Sequence, residues 1–123
     1  MDGEITPADV KELIEDETDV RVVDIRPPGA YAQGHIPGSE NVPFPRLTQS
    51  VERFDGAERV VTVCPHGQSS VQAANLIASY EGLAADATVE SMAGGLTAWE
   101  WDLERADGGD ADDGPDARPD APF

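Results

Sequence analysis

The sequence predicts an α/β domain built on a mostly parallel sheet, with helices covering both faces. Two observations lead there. Residues 20–25 and 59–63 are short, nearly continuous runs rich in β-branched residues and bounded by turn formers, the pattern of strands buried on both sides. Between and after these runs the apolar residues fall at helical spacing, so strands alternate with helices along the chain. In sheets of this kind ligands bind beyond the C-terminal ends of the strands. Both residues with chemistry to offer lie there: Asp24 near the end of the first run and Cys64 directly after the second.

Taken in order, Glu4 and Ile5 predict a short edge strand. Thr6-Pro7-Ala8-Asp9 reads as a helix start, with Thr6 as cap, Pro7 where a missing N–H is harmless, and Asp9 at the positive end of the dipole. Val10, Leu13 and Ile14 then carry an amphipathic helix to about Asp16. The strand over 20–25 stops at Arg26-Pro27-Pro28-Gly29, and a brief helix follows over 30–33. Gly34-His35-Ile36-Pro37-Gly38 is turn chemistry before a short strand over 39–42. Pro43 and Pro45 restrict the next stretch to a loop and a weak helix over 47–54. After the strand at 59–63, Cys64-Pro65-His66-Gly67-Gln68-Ser69 forms a compact loop, and Val71, Ala74, Leu76, Ile77 and Tyr80 mark a helix over 70–80. Residues 87–91 predict another strand, Gly94-Gly95 a tight turn, and 96–103 a last helix packed by Trp99 and Trp101. From Ala106 onward the chain is mostly Asp, Gly, Pro and Ala, so the reading is one domain over 1–105 and an acidic disordered tail over 106–123. A length of 123 residues fits a single core.

The formal net charge is −17, Lys11 is the only lysine, and Asp and Glu are spread along the whole length. Such a surface repels nucleic acid and anionic lipid, which removes both as partners. An acid-rich, lysine-poor composition resembles that of proteins from salt-loving archaea. In multimolar salt the Debye length falls to about 3 Å or less and self-repulsion weakens. The alternative is a mesophilic protein that docks partners through an acidic face. No stretch reaches the roughly 20 apolar residues of a membrane span, and Met1-Asp2-Gly3-Glu4 is unlike a secretion signal. These features predict a cytoplasmic protein. One cysteine permits no internal disulfide, and two histidines with that cysteine, in unrelated spacing, make no structural zinc site.

A cysteine between a buried strand and a helix start sits where free amides and the helix dipole stabilise a thiolate. Such settings lower a cysteine pKa from about 8.5 into the range of roughly 3.5–7.5. Gly67 permits positive φ, letting a short loop curl until its amides converge on the sulfur. Ser69 and Ser70 can add hydroxyl donors or cap the helix, whereas Pro65 donates no amide and only shapes the loop. By itself the loop is equally compatible with an inert buried cysteine closing a strand.

The wider sequence resembles a single rhodanese-like domain. The segment from Val23 to Pro43 is similar to the family's first motif, with Asp24 and Arg26, then Tyr31, Gly34-His35-Ile36-Pro37-Gly38, Asn41 and Pro43. Cys64 to Ser70 stands where the family carries its cysteine loop. Met92-Ala93-Gly94-Gly95-Leu96-Thr97-Ala98-Trp99 resembles its closing motif. The resemblance covers most of residues 4–105, in family order. It implies a five-stranded sheet flanked by helices and a sulfurtransferase reaction. Cys64 takes sulfane sulfur from a donor, becomes a persulfide, and passes that sulfur to a thiol or protein acceptor, without metal or organic cofactor. Pro65, His66, Gly67, Gln68, Ser69 and Ser70 form the loop that holds the persulfide, and Asp24 and Arg26 are a supporting ion pair. His35 is read as structural. His66 is read either as a donor to a bound anion or as a solvent-facing side chain.

Departures from the family pattern narrow this expectation. The loop holds no Lys or Arg; the usual basic residue is Ser69, and the usual acidic residue before Tyr31 is Ala30. Thiosulfate, a dianion, is therefore a doubtful donor, and a protein or low-molecular-weight persulfide is favoured. Two other readings stand beside the enzyme: a non-catalytic rhodanese-fold binding or regulatory module, and a cysteine phosphatase or arsenate reductase. The last wants an arginine at position 70, where this chain has Ser70. The sequence leaves the oligomeric state open.

Overall fold

The structure, a computed structural model, describes residues 2–16 and 18–105. Among these residues five strands form one sheet: β1 (Glu4–Ile5), β2 (Arg21–Asp24), β3 (Glu40–Asn41), β4 (Arg59–Val63) and β5 (Thr88–Met92). Their order is β1-β5-β4-β2-β3 and every pairing is parallel. Among the described residues the α-helices are α1 (Pro7–Glu15), α2 (Pro28–Gln33), α3 (Leu47–Ser50) and α4 (Ser69–Ala78).

The β-branched runs are continuous because successive residues of a strand face opposite sides of the sheet and both sides are covered. Val22, Val61 and Val63 pack with Ile5, Val10 and Met92 on the α1 side. Val23, Val60 and Cys64 pack with Leu47, Phe54, Ala73 and Ile77 on the side of α3 and α4. The start of α1 follows the sequence: Thr6 Oγ1 accepts the Asp9 N–H at 3.1 Å, and Pro7 takes the first helical position.

Two elements differ from expectation. The stretch over 47–54 is not one weak helix. A 3-10 turn at Phe44–Arg46 leads into α3, and a second at Val51–Phe54 follows it, placing Leu47 and Phe54 in the core. The helix expected over 96–103 is only a 3-10 turn, Gly95–Ala98. Trp99 leaves it in an extended conformation, and His35 and Glu104 exchange both main-chain hydrogen bonds at 2.8 Å in an antiparallel bridge. Between that turn and the bridge the chain bends at Trp101, and Trp99 Nε1 donates to the Asp102 carbonyl at 3.3 Å. Trp99 is buried and meets the exposed Trp101 edge to face. The expected tail over 106–123 lies outside the described residues. Among the described residues no helix is long and apolar enough to cross a membrane.

Candidate active site

Parallel pairing aligns the strand ends: Asp24 sits opposite Val63, so the C-terminal ends of β2 and β4 finish side by side. Cys64 is the first residue past β4, and the chain must turn there to enter α4. Gly67, at φ +83°, makes the sharp turn that brings the loop back over the sulfur. The Gly67 N–H then points at Cys64 Sγ from 3.0 Å and the Ser70 N–H from 3.3 Å, with Ser70 Oγ also 3.3 Å from the sulfur. Ser70 is the second residue of α4, so its amide is one that the helix itself leaves unpaired. Only 2% of Cys64 is exposed, whereas Pro65, His66, Gln68 and Ser69 are exposed around it.

Two effects compete at this sulfur. Burial pushes the thiol pKa up. The Ser70 hydroxyl, the Ser70 amide and the amides of His66 and Gly67 together pull it further down, leaving it below the ordinary thiol value. A donor that reaches the sulfur thus meets a thiol that ionises more readily than an ordinary one. The same shift has a stability consequence. Between the folded and the ordinary thiol pKa the unfolded chain binds more protons, so stability rises with pH across that window. The increment is lost as pH falls through the folded value. Urea unfolding of the wild type and of Cys64→Ser should therefore diverge in favour of the wild type as pH rises toward about 8.5. Parallel curves across that range would contradict a lowered thiol pKa.

The loop is held from the far side by a second loop. Leu96 N–H donates to the Cys64 carbonyl at 2.9 Å and Thr97 N–H to the Pro65 carbonyl at 3.1 Å. Gly94 and Gly95 both have positive φ; a Cβ on Gly95 would run into the backbone of the cysteine loop, and one on Gly94 into Ala98. The sequence marked this glycine pair as a tight turn; its work as a clamp on the cysteine loop is visible only in three dimensions. Behind the sulfur lie two residues the sequence reading did not single out. Ser91 on β5 places its hydroxyl 2.7 Å from Ser70 Oγ, and Thr62 on β4 donates to the Ser70 carbonyl at 2.7 Å. Small hydroxyl residues within strands otherwise apolar at buried positions were the available signal.

Asp24 and Arg26 do form a pair, at 2.7 Å, with Asp24 buried. What they brace is the edge next to the loop rather than the loop itself. Arg26 also donates to the Gly34 carbonyl at 2.6 Å, and Asn41 Nδ2 donates to the carbonyls of Asp24 and Arg26. His35 is buried, stacked on Tyr31, with Nδ1 2.9 Å from the Tyr31 carbonyl, which agrees with a structural role. His66 is exposed. Among the described residues no Lys or Arg side chain bonds to any residue of the loop. Arg21, Arg53 and Arg59 are instead held by Glu40 and Glu90, and Lys11 by Glu15. No cluster of three or more metal-ligating side chains occurs among the described residues.

A family model for the rhodanese-like domain matches residues 6–101. A curated relative from Pseudoalteromonas translucida, thiosulfate sulfurtransferase GlpE, is 38% identical over 96 residues, which span 78% of this chain and 87% of the relative. Among solved structures, a protein from Staphylococcus saprophyticus superposes with a TM-score of 0.71 at 28% identity, covering 84% of this chain and 99% of that one. A rhodanese-like domain protein from Staphylococcus aureus shares the fold with a TM-score of 0.69 at 24% identity, over 84% of this chain and 97% of that one.

Proposed function

The chain belongs to the rhodanese-like domain family and is a rhodanese-type sulfurtransferase; from that premise, we propose that it carries sulfur as a persulfide on Cys64, taken from a persulfide donor and delivered to a thiol acceptor. The observation that carries this reading is the convergence of the Gly67 and Ser70 amides and the Ser70 hydroxyl on one sulfur. In the first half-reaction the Cys64 thiolate attacks the outer sulfur of a donor R–S–SH. A new S–S bond forms on Cys64, the donor's S–S bond breaks, and R–S⁻ leaves with the electron pair. In the second, an acceptor thiolate attacks the outer sulfur of Cys64–S–SH and Cys64 departs as thiolate. Nothing is oxidised or reduced overall. The loop amides stabilise the leaving Cys64 thiolate in the second step as they stabilise the attacking one in the first.

The donor class follows from charge. The loop residues Pro65, His66, Gly67, Gln68, Ser69 and Ser70 hold no fixed cation, and the protein around them has a formal net charge of −17. Approach of the thiosulfate dianion is opposed by this field, while a neutral or singly charged persulfide is much less affected. Incubation with a sulfane-sulfur donor should add one sulfur atom to the intact protein, read by mass spectrometry. Cysteine persulfide should load it at least about tenfold faster than thiosulfate in dilute buffer. Loading by thiosulfate should accelerate as salt is raised, because screening weakens like-charge repulsion. Protein left unmodified by thiosulfate, polysulfide and cysteine persulfide alike would overturn the persulfide reading.

The same charge supports adaptation to a salt-rich cytoplasm. The fold should be retained or gain stability in multimolar salt; loss of structure there, with full stability in dilute buffer, would contradict it. A phosphatase or arsenate reductase is not supported: position 70 holds a serine whose hydroxyl is turned inward to Cys64 and Ser91.

A further inference from the structure

Behind Cys64 runs a buried chain of three groups, Sγ to Ser70 Oγ at 3.3 Å and Ser70 Oγ to Ser91 Oγ at 2.7 Å, and both serines have 0% exposure. Sulfur transfer as described above uses Ser70 but gives Ser91 no part. We propose that Ser91 is a positioning residue for the nucleophile: by donating to Ser70 Oγ it turns the Ser70 hydrogen toward the sulfur whenever the sulfur is ionised.

A hydroxyl owns one hydrogen, and a thiolate owns none and can only accept. With the sulfur ionised, Ser70 must aim its hydrogen at Sγ, and its oxygen is then left to accept. Ser91, 2.7 Å away, is the group that donates to it. With the sulfur protonated, the chain can run the other way, Sγ–H to Ser70 and Ser70 to Ser91. The two serines therefore have two concerted orientations coupled to the charge on the sulfur. In a buried setting each bond in such a chain polarises the next.

The scaffold keeps both ends of this chain in place. The Ser70 carbonyl is tied to Thr62 Oγ1 at 2.7 Å, and Ser91 is held within β5, its N–H bonded to the Gly3 carbonyl at 3.1 Å. Loss of the Ser91 hydroxyl should consequently leave Ser70 where it is and weaken only what it offers the sulfur.

This inference rests on reading Cys64 as an ionised nucleophile, yet its test needs no sulfur transfer. The rate of alkylation by iodoacetamide is followed against pH, which reports the thiolate directly. Ser91→Ala should raise the midpoint by about 0.5 pH unit, a roughly threefold loss of rate below it, and leave the plateau above it unchanged. Ser91→Gly, which deletes the same hydroxyl, should give the same shift, and Ser91→Thr, which keeps it, should restore the wild-type midpoint. In a Ser70→Ala background, Ser91→Ala should add nothing further. Coincident curves for wild type and both deletions would overturn the proposal, as would an undiminished shift in the Ser70→Ala background. A wild-type protein that titrates as expected but takes up no sulfur would count against the sulfur-transfer reading alone.

Discussion

Cys64→Ser is expected to carry no sulfur after incubation with any sulfane-sulfur donor, while the wild type gains one atom. Cys64 is the only cysteine of the chain, so no second thiol can stand in for it. A serine hydroxyl in the same loop receives the same amides but stays protonated at neutral pH, and oxygen forms no persulfide. The loss should be to background rather than partial. The fold should survive, because the smaller oxygen still has the Gly67 and Ser70 amides and the Ser70 hydroxyl as partners. Intact-mass spectrometry with a parallel thermal melt separates the two effects. A sulfur adduct persisting on a folded Cys64→Ser protein would remove Cys64 from the mechanism.

Gly95→Ala should be the most damaging single change outside the loop. A Cβ there would lie 2.3 Å from the Cys64 carbonyl oxygen and 2.6 Å from the amide nitrogens of both His66 and Gly67. All three are backbone atoms, so no rotamer change relieves the clash, and φ at Gly95 is +62°. Left-handed strain and overpacking together should cost on the order of 4 kcal/mol. A protein that escapes unfolding must push the cysteine loop away, and the displaced amides are those that hold the thiolate. Sulfur uptake should fall at least about tenfold even in the fraction that remains folded, with the alkylation midpoint moving up. Gly38→Ala is the control. It has a similar φ of +84° but open space around the new atom, so about 1 kcal/mol and unchanged sulfur chemistry are expected. Equal effects of the two substitutions, measured by urea unfolding and sulfur loading, would show that the clamp on the loop does not matter.

These two glycines illustrate how far each level of information reaches. A glycine in a turn is a local property, and the sequence marks Gly38 and Gly94-Gly95 alike as turn positions. Whether a side chain would fit depends on what the rest of the chain places nearby. At Gly95 that neighbour is the backbone of residues 64–67, about thirty positions earlier. The last helix was misjudged for the same reason. Residues 96–103 contain no helix breaker, and only the bridge between Glu104 and His35 shows where the chain goes after Ala98 instead of continuing as a helix. Asp24 and Arg26 were legible as a pair, but their attachment to Gly34 and Asn41 was not.

By itself the sequence determined the alternation of strand and helix, the burial of the two β-branched runs, the capped start of α1, and the place of Cys64 at a strand end before a helix. Each of these is written within a few residues, in periodicity, β-branching, Pro and Gly. Only the tertiary structure decided that three donors meet at the sulfur, that Gly94-Gly95 closes over the loop, and that Ser91 stands behind Ser70. The last two contacts join residues 21 to 31 positions apart, held together by a sheet whose neighbours in space are not neighbours in sequence. Spacing along the chain carries no distance across a parallel sheet. The chemistry of Cys64 was therefore visible as a possibility in its loop, and it became specific through the Gly67 and Ser70 donors together with the support that β5 and the turn after it give them.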